Sequence, residues 1–187
     1  MQNELKHFQG KLNYFSQEVQ KQEFIEMRGL GNEVPYFIFD YEPQFELLVR
    51  DYIKQLTRKA NVKIKAINLF ELMLSLFDDV GIDELIDIEK EEGTEELFES
   101  MRPVLEENEL IDAITSEIED AQIVLLTHVG SVYPLVRAHD ILNRLAEHDL
   151  KIPTILFYPG QYSGQDLKLF NRFKSDNYYR AFAIETI

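Results

Sequence analysis

The stretch PTILFYPGQYSGQDLKLF, residues 153–170, decides how the chain is read. Pro153 to Pro159 is an apolar run of strand character, Gly160 closes it, and a second glycine stands at Gly164. A helix-like pattern begins at once after it. Strand, glycine loop and helix in that order is an arrangement that often holds a nucleotide phosphate. The same grammar recurs upstream. YFIFD (36–40) is a short apolar run, VKIKAIN (62–68) alternates, and QIVLLTHV (122–129) is the clearest strand of all. YYRAFAI (178–184) alternates again and reads as an edge strand.

Helical patterns fill the intervals. Leu5, Phe8, Leu12, Phe15, Val19 and Ile25 recur at spacings of three and four, so residues 3–27 read as one helix. Gly29-Leu30-Gly31-Asn32 breaks it. Pro43 suits the first turn of a second helix faced by Phe45, Leu48, Tyr52, Ile53 and Leu56. LFELMLSLF (69–77) reads as a buried helix. Gly130-Ser131 opens another, with Ser131 as its N-cap and Val132, Leu135, Val136, Leu142 and Leu145 on its face. Strands alternating with helices imply an α/β fold. We expect a single domain over 1–187, with a mostly parallel four- to five-stranded sheet, helices on both faces and an acidic helical insertion.

That insertion is where the charge sits. The chain has a net charge of -15, and residues 78–120 hold 18 acids against two bases, Lys90 and Arg102. Gly81, Gly93 and Pro103 divide the segment into short helices. Ile82, Leu85, Ile86 and Ile88 mark the first, Leu97 and Met101 the second, and Leu110, Ile111, Ile114 and Ile118 the third. Helices with such faces pack on something, so this is no disordered acidic tail. Polyanionic backbones need a basic footprint, which speaks against direct nucleic-acid binding. Exposed clusters such as Glu91, Glu92, Glu95 and Glu96 either keep the surface solvated or steer a basic protein partner.

The remaining composition is that of an ordinary folded protein, 45% hydrophobic with 13 Phe and 9 Tyr. There is no cysteine, which excludes disulfides and thiolate metal sites and fits a reducing compartment. The N-terminus lacks a signal-peptide core, and no stretch approaches the ~18 continuous apolar residues of a membrane span. A cytoplasmic location without membrane contact is expected.

Ligands of parallel sheets bind beyond the carboxyl ends of the strands. The candidates there are Asp40, Tyr41, Asn68, Thr127, His128, Gly130, Tyr158 and Gly160. His128 with Asp40 would supply an acid/base pair, although a strand-end histidine is more often a hydrogen-bonded structural residue. A phosphate loop of the G-x-x-x-x-G-K-[ST] type needs a lysine and a hydroxyl after its second glycine; here Gln165 and Asp166 stand in those places. The simpler reading of Gly160 is a glycine required by the turn. No histidine pair has metal-motif spacing, and G-x-S-x-G is absent. No catalytic, cofactor or metal residues are assigned. Interleaved Arg172, Phe173, Lys174, Tyr178, Tyr179 and Arg180 are a weak single-strand cue, better read as an amphipathic edge or a protein contact.

Three long motifs carry a resemblance. GLGNEVPYFIFDYEP (29–43), LLTHVGSVYPLVRAHDILNRL (125–145) and FYPGQYSGQDLKLFNRFKSDNYYRAF (157–182) resemble the BrxB family of bacteriophage-exclusion (BREX) defence systems. The resemblance implies a small component of a multi-protein phage-defence system, without an established catalytic activity or cofactor. It also implies contacts to other BREX proteins such as the alkaline-phosphatase-like PglZ. The expectation is therefore a non-enzymatic interaction subunit. The alternative is an enzyme or nucleotide-sensing module using the crevice around Asp40, His128 and Gly160.

Overall fold

The computed structural model describes residues 2–28, 34–106, 108–148, 150–175 and 181–184. The four strong apolar runs become β1 (Tyr36–Tyr41), β2 (Ile64–Asn68), β3 (Ile123–Thr127) and β4 (Thr154–Tyr162). They are followed by β5 (Leu167–Leu169), β6 (Phe173–Ser175) and β7 (Phe182–Ala183). The main sheet runs β2-β3-β4-β1-β7 with every pair parallel and with β2 and β7 at its two edges.

Side chains alternate across this sheet, and both faces are buried. Phe37, Phe39, Tyr41, Ile123, Leu125, Ile155 and Phe157 face one core. It is covered by α1 (Gln2–Glu18), α2 (Gln22–Ile25) and α3 (Glu46–Lys59), the last entered through a short 3-10 turn at Pro43–Phe45. Phe15, Phe39 and Phe157 meet there edge to face and tilted, with centroids 4.9–5.3 Å apart. Tyr36, Ile38, Ile67, Val124, Leu126, Leu156 and Tyr158 face the opposite core. Over them lie α4 (Leu69–Ser75), α5 (Ile82–Glu92), α6 (Thr94–Glu106), α7 (Glu109–Glu117), α8 (Val129–Val132) and α9 (Ala138–Glu147). The acidic segment is thus a folded layer, seated through Leu85, Met101, Leu105, Ile111 and Ile114.

Four sequence expectations are corrected. Residues 3–27 are not one helix: α1 stops at Glu18 and Lys21 is extended before α2. In an unbroken helix Phe24 would lie about half a turn away from Phe15. The break turns Phe24 back onto Phe37, 4.9 Å between centroids. The expected breaker Gly29-Leu30-Gly31-Asn32 lies outside the described residues, as do Tyr178, Tyr179 and Arg180. Pro103 does not divide the acidic segment but lies inside α6, where it forfeits one backbone bond between buried Met101 and Leu105. The helix expected from Ser131 is two, α8 and α9, separated by a turn that contains Pro134. The N-cap of α8 is His128, and Ser131 lies within the turn of helix with its N–H on the His128 carbonyl at 2.9 Å.

The fourth correction concerns the opening stretch. After Gly160 the chain does not enter a helix. β4 runs on to Tyr162, turns at Ser163–Asp166, and returns as antiparallel β5, which pairs with β6. Ser163 Oγ accepts from the Asp166 N–H at 3.0 Å, and Gly164 takes φ +87° in the turn. Gly160 serves a different purpose: a Cβ there would lie 2.1 Å from the Lys168 carbonyl oxygen on the partner strand. The three-residue connection 170–172 between β5 and β6 places Phe170 (φ 52°) and Asn171 (φ 59°) in left-handed backbone and closes with Arg172 N–H on Leu169 O at 2.9 Å.

Replacing Gly160 by Ala should cost roughly 1–3 kcal/mol, because the obstacle is backbone that cannot rotate away. Gly164→Ala meets no atom within 4 Å and should cost about 1 kcal/mol, from its left-handed φ alone. Urea denaturation of the two variants checks the order; equal losses would contradict the cross-strand account.

Candidate functional site

The sheet brings the expected residues to one edge. Asp40 lies opposite Tyr158 and Tyr41 opposite Pro159 on neighbouring strands. β3 pairs with β4 as far as Leu126 and with β2 as far as Thr127, and leaves the sheet at His128. The residues are divided between the two sides of the sheet, since Tyr41 is packed in the α1–α3 core and Tyr158 in the other.

Asp40 is fully engaged. One carboxylate oxygen takes Lys11 Nζ of α1 at 2.7 Å, and the other accepts the Tyr162 N–H at 2.9 Å. Lys11 also sits 5.0 Å from the centre of the Phe39 ring. Asp40 therefore clasps α1 and the extension of β4 to the end of β1. Among the described residues no hydrogen bond or ion pair joins it to His128.

Tyr41 donates its hydroxyl to Glu46 Oε2 at 2.5 Å, and Arg50 Nε reaches Glu46 Oε1 at 2.8 Å. Burial, reinforced by the negative Glu46, pushes the Tyr41 phenol up, so it remains a donor. Glu46 and Arg50 were not singled out from the sequence. Their i, i+4 spacing after a proline-started helix was the available signal. Together with Glu71 and Lys54 they form the electrostatic surroundings of His128. Desolvation lowers the imidazole pKa first and the Arg50 charge adds to this, while Glu46 and Glu71 oppose it.

His128 is half-buried and stands in left-handed backbone at φ 62°. Thr127 Oγ1 donates to the Ile67 carbonyl at 3.0 Å, so its contact with His128 Nδ1 at 2.9 Å requires the proton on Nδ1. In the neutral ring this leaves Nε2 as the acceptor. The chain Ile67, Thr127, His128 fixes the tautomer and the orientation of the ring.

The glycines and Asn68 have local explanations. Asn68 caps α4, its Oδ1 accepting from the N–H groups of Phe70 and Glu71. Gly130 leaves room for Phe170, whose ring a Cβ would meet at 2.5 Å. The hairpin therefore docks on the start of α8 through the space Gly130 leaves. Among the described residues no group of three or more His, Asp or Glu is placed to hold a metal ion, and no helix is long and apolar enough to cross a membrane.

The fold and edge define a parallel α/β protein whose strand ends are occupied largely by its own polar contacts. The sequence profile described as "BREX protein BrxB" matches residues 65–184. A relative named "BREX protein BrxB" from Bacillus cereus (strain H3081.97) is 38% identical over 170 residues, 86% of this chain and 88% of the relative. One of the same name from Escherichia coli O9:H4 (strain HS) is 32% identical over 179 residues, 93% and 90% respectively. No solved structure matches the chain. The chain belongs to the BrxB family, a component of BREX phage-defence systems.

Because the native His128 ring binds a proton more weakly than the unfolded one, its contribution to stability is present above the ordinary histidine value of about 6.5. It is lost as pH falls through the lowered native value. His128→Asn, which tolerates left-handed backbone, should flatten this part of the profile. Urea midpoints followed from about pH 7 to 5 test it; parallel curves for the two proteins would contradict it.

Proposed function

We propose that the chain is a non-enzymatic, cytoplasmic interaction subunit that binds other BREX proteins, a PglZ-like alkaline-phosphatase-like component foremost. The observation that carries this reading is a groove on the acidic layer. It has a volume of about 360 Å³ and lies between α4, α5, α6 and the segment after α8. Phe70, Leu74, Ile82, Ile86, Phe98 and Leu135 are among its lining residues. Ile82 is 53% exposed, Ile86 41% and Phe70 38%. Apolar side chains left this open beside one another mark a contact surface more often than chance.

The surroundings select the occupant. Glu89 is at the groove itself, and Glu91, Glu92, Glu95 and Glu96 are exposed on the α5–α6 corner. Among the described residues no cation pairs with any of these last four. An amphipathic partner segment with apolar anchors and flanking Lys or Arg fits both features: the anchors fill the groove and the bases meet the acids. Absence of cysteine fits the reducing compartment that the reading requires.

Binding kinetics against the purified PglZ-like protein of the same system test the proposal. Changing Glu91, Glu92, Glu95 and Glu96 together to Lys should slow association about tenfold or more at low salt, with the difference shrinking as salt rises. Ile82→Asp and Ile86→Asp should instead hasten dissociation. Association and dissociation unchanged in both sets would remove the groove from the interface.

A further inference from the structure

A second hollow has the opposite character. It has a volume of about 370 Å³ and lies between the end of β4, the β5–β6 hairpin and the start of α9. Arg137, Arg172 and Lys174 line it, and among the described residues no acidic one does. In a chain of net charge -15 this is a local inversion of sign. We propose that this hollow binds a mononucleotide-class ligand, its phosphate held by Arg137 and Arg172 and its base laid against Phe173.

The two guanidinium groups come from different parts of the fold. Arg137 is the N-cap residue of α9, and Arg172 closes the β5–β6 turn. Among the described residues neither has a side-chain hydrogen bond or a carboxylate partner. Two like charges held at one cavity without a counter-ion repel, and an anion placed between them relieves that repulsion. Guanidinium groups match phosphate oxygens in pairs. Lys174 is a weaker contributor because Asp166 lies 3.4 Å away. His139 also borders the hollow, but its Nε2 is 2.8 Å from Asp140 Oδ1, so it is not counted as an anion ligand.

The rest of the hollow is built for an apolar ring. Leu167, Leu169 and Tyr158 are buried residues that line it. Phe173 is 47% exposed and is braced by Tyr133, centroids 5.1 Å apart at 31°. A ring held on one side and open on the other offers a stacking face for a base. The volume exceeds what a bare oxyanion needs and lies in the ~300–1,000 Å³ range of small-molecule sites. A nucleic-acid strand would need a track of bases rather than three cations in one hollow, and would meet the field of the acidic layer. This site is distinct from the docking groove, although Tyr133 borders both.

Calorimetric titration of the full chain at low salt, with AMP, GMP, adenosine and inorganic phosphate as separate probes, tests the site. AMP or GMP should bind, with adenosine and inorganic phosphate each at least about tenfold weaker. Arg137→Gln and Arg172→Gln should each weaken nucleotide binding about tenfold, as expected for losing a charged hydrogen-bond donor. Phe173→Ser should weaken the nucleotides while leaving the weaker phosphate titration unchanged. All three side chains are exposed, so melting temperatures should hold and separate lost binding from lost fold. Silence with both nucleotides, or affinities untouched in the folded arginine variants, would overturn the proposal. Inorganic phosphate binding as tightly as AMP would overturn the nucleotide assignment.

Discussion

Strand β4 has no free side. β3 and β1 flank it, helices cover both of its faces, and Ile155, Leu156 and Phe157 are completely buried. In such a position every backbone N–H and C=O must find a partner. Beyond Pro159 the flanking strands end while β4 continues, and the chain pairs with itself as β5. This pairing accounts for the glycine at 160, where the return strand comes too close for a Cβ, and for the seat that Gly130 leaves for Phe170. Asp40 holds the emerging strand by the Tyr162 N–H. Residues that look like a ligand loop are thus the fastenings of a hairpin.

The same need for partners explains the strand ends. In a parallel sheet the carboxyl edge collects unpaired backbone and the polar residues beyond each apolar run. Here Asn68 directs its oxygen to α4, Thr127 its hydroxyl to the neighbouring carbonyl, and Asp40 its carboxylate to α1 and β4. His128 differs in being half-buried, held in left-handed backbone, and fixed in one tautomer by Thr127. Its environment balances Arg50 against Glu46 and Glu71, with desolvation deciding the direction.

Charge is separated across one side of the sheet. The acidic helices α5–α7 are anchored by apolar residues and leave their carboxylates to solvent, where screening over about 8 Å keeps mutual repulsion modest. The hairpin and the start of α9 carry the arginines. An apolar groove bordered by acid and a hollow bordered by base therefore stand side by side, sharing Tyr133. A basic protein segment and a small anion would be directed to different places on the same layer.

The four long strands of the main sheet, the parallel α/β class, the acidic layer and the family are all legible in the order of the amino acids. Each rests on local information: the apolar runs YFIFD, QIVLLTHV and PTILFYP, the 18 acids of residues 78–120, and three long motifs. The path of the chain after Gly160 is not legible in that way. Leu167 and Leu169 satisfy a strand period while Leu167 and Phe170 satisfy a helical one, and the choice was made by a neighbour in space, the extended end of β4. Phe24 likewise found its face by packing on Phe37, which no periodicity in residues 3–27 reveals. Arg137 and Arg172 are far apart in the chain and become one site because a hairpin folds back over the start of α9. Periodicity reports which residues seek a core; long-range contact decides which of them meet.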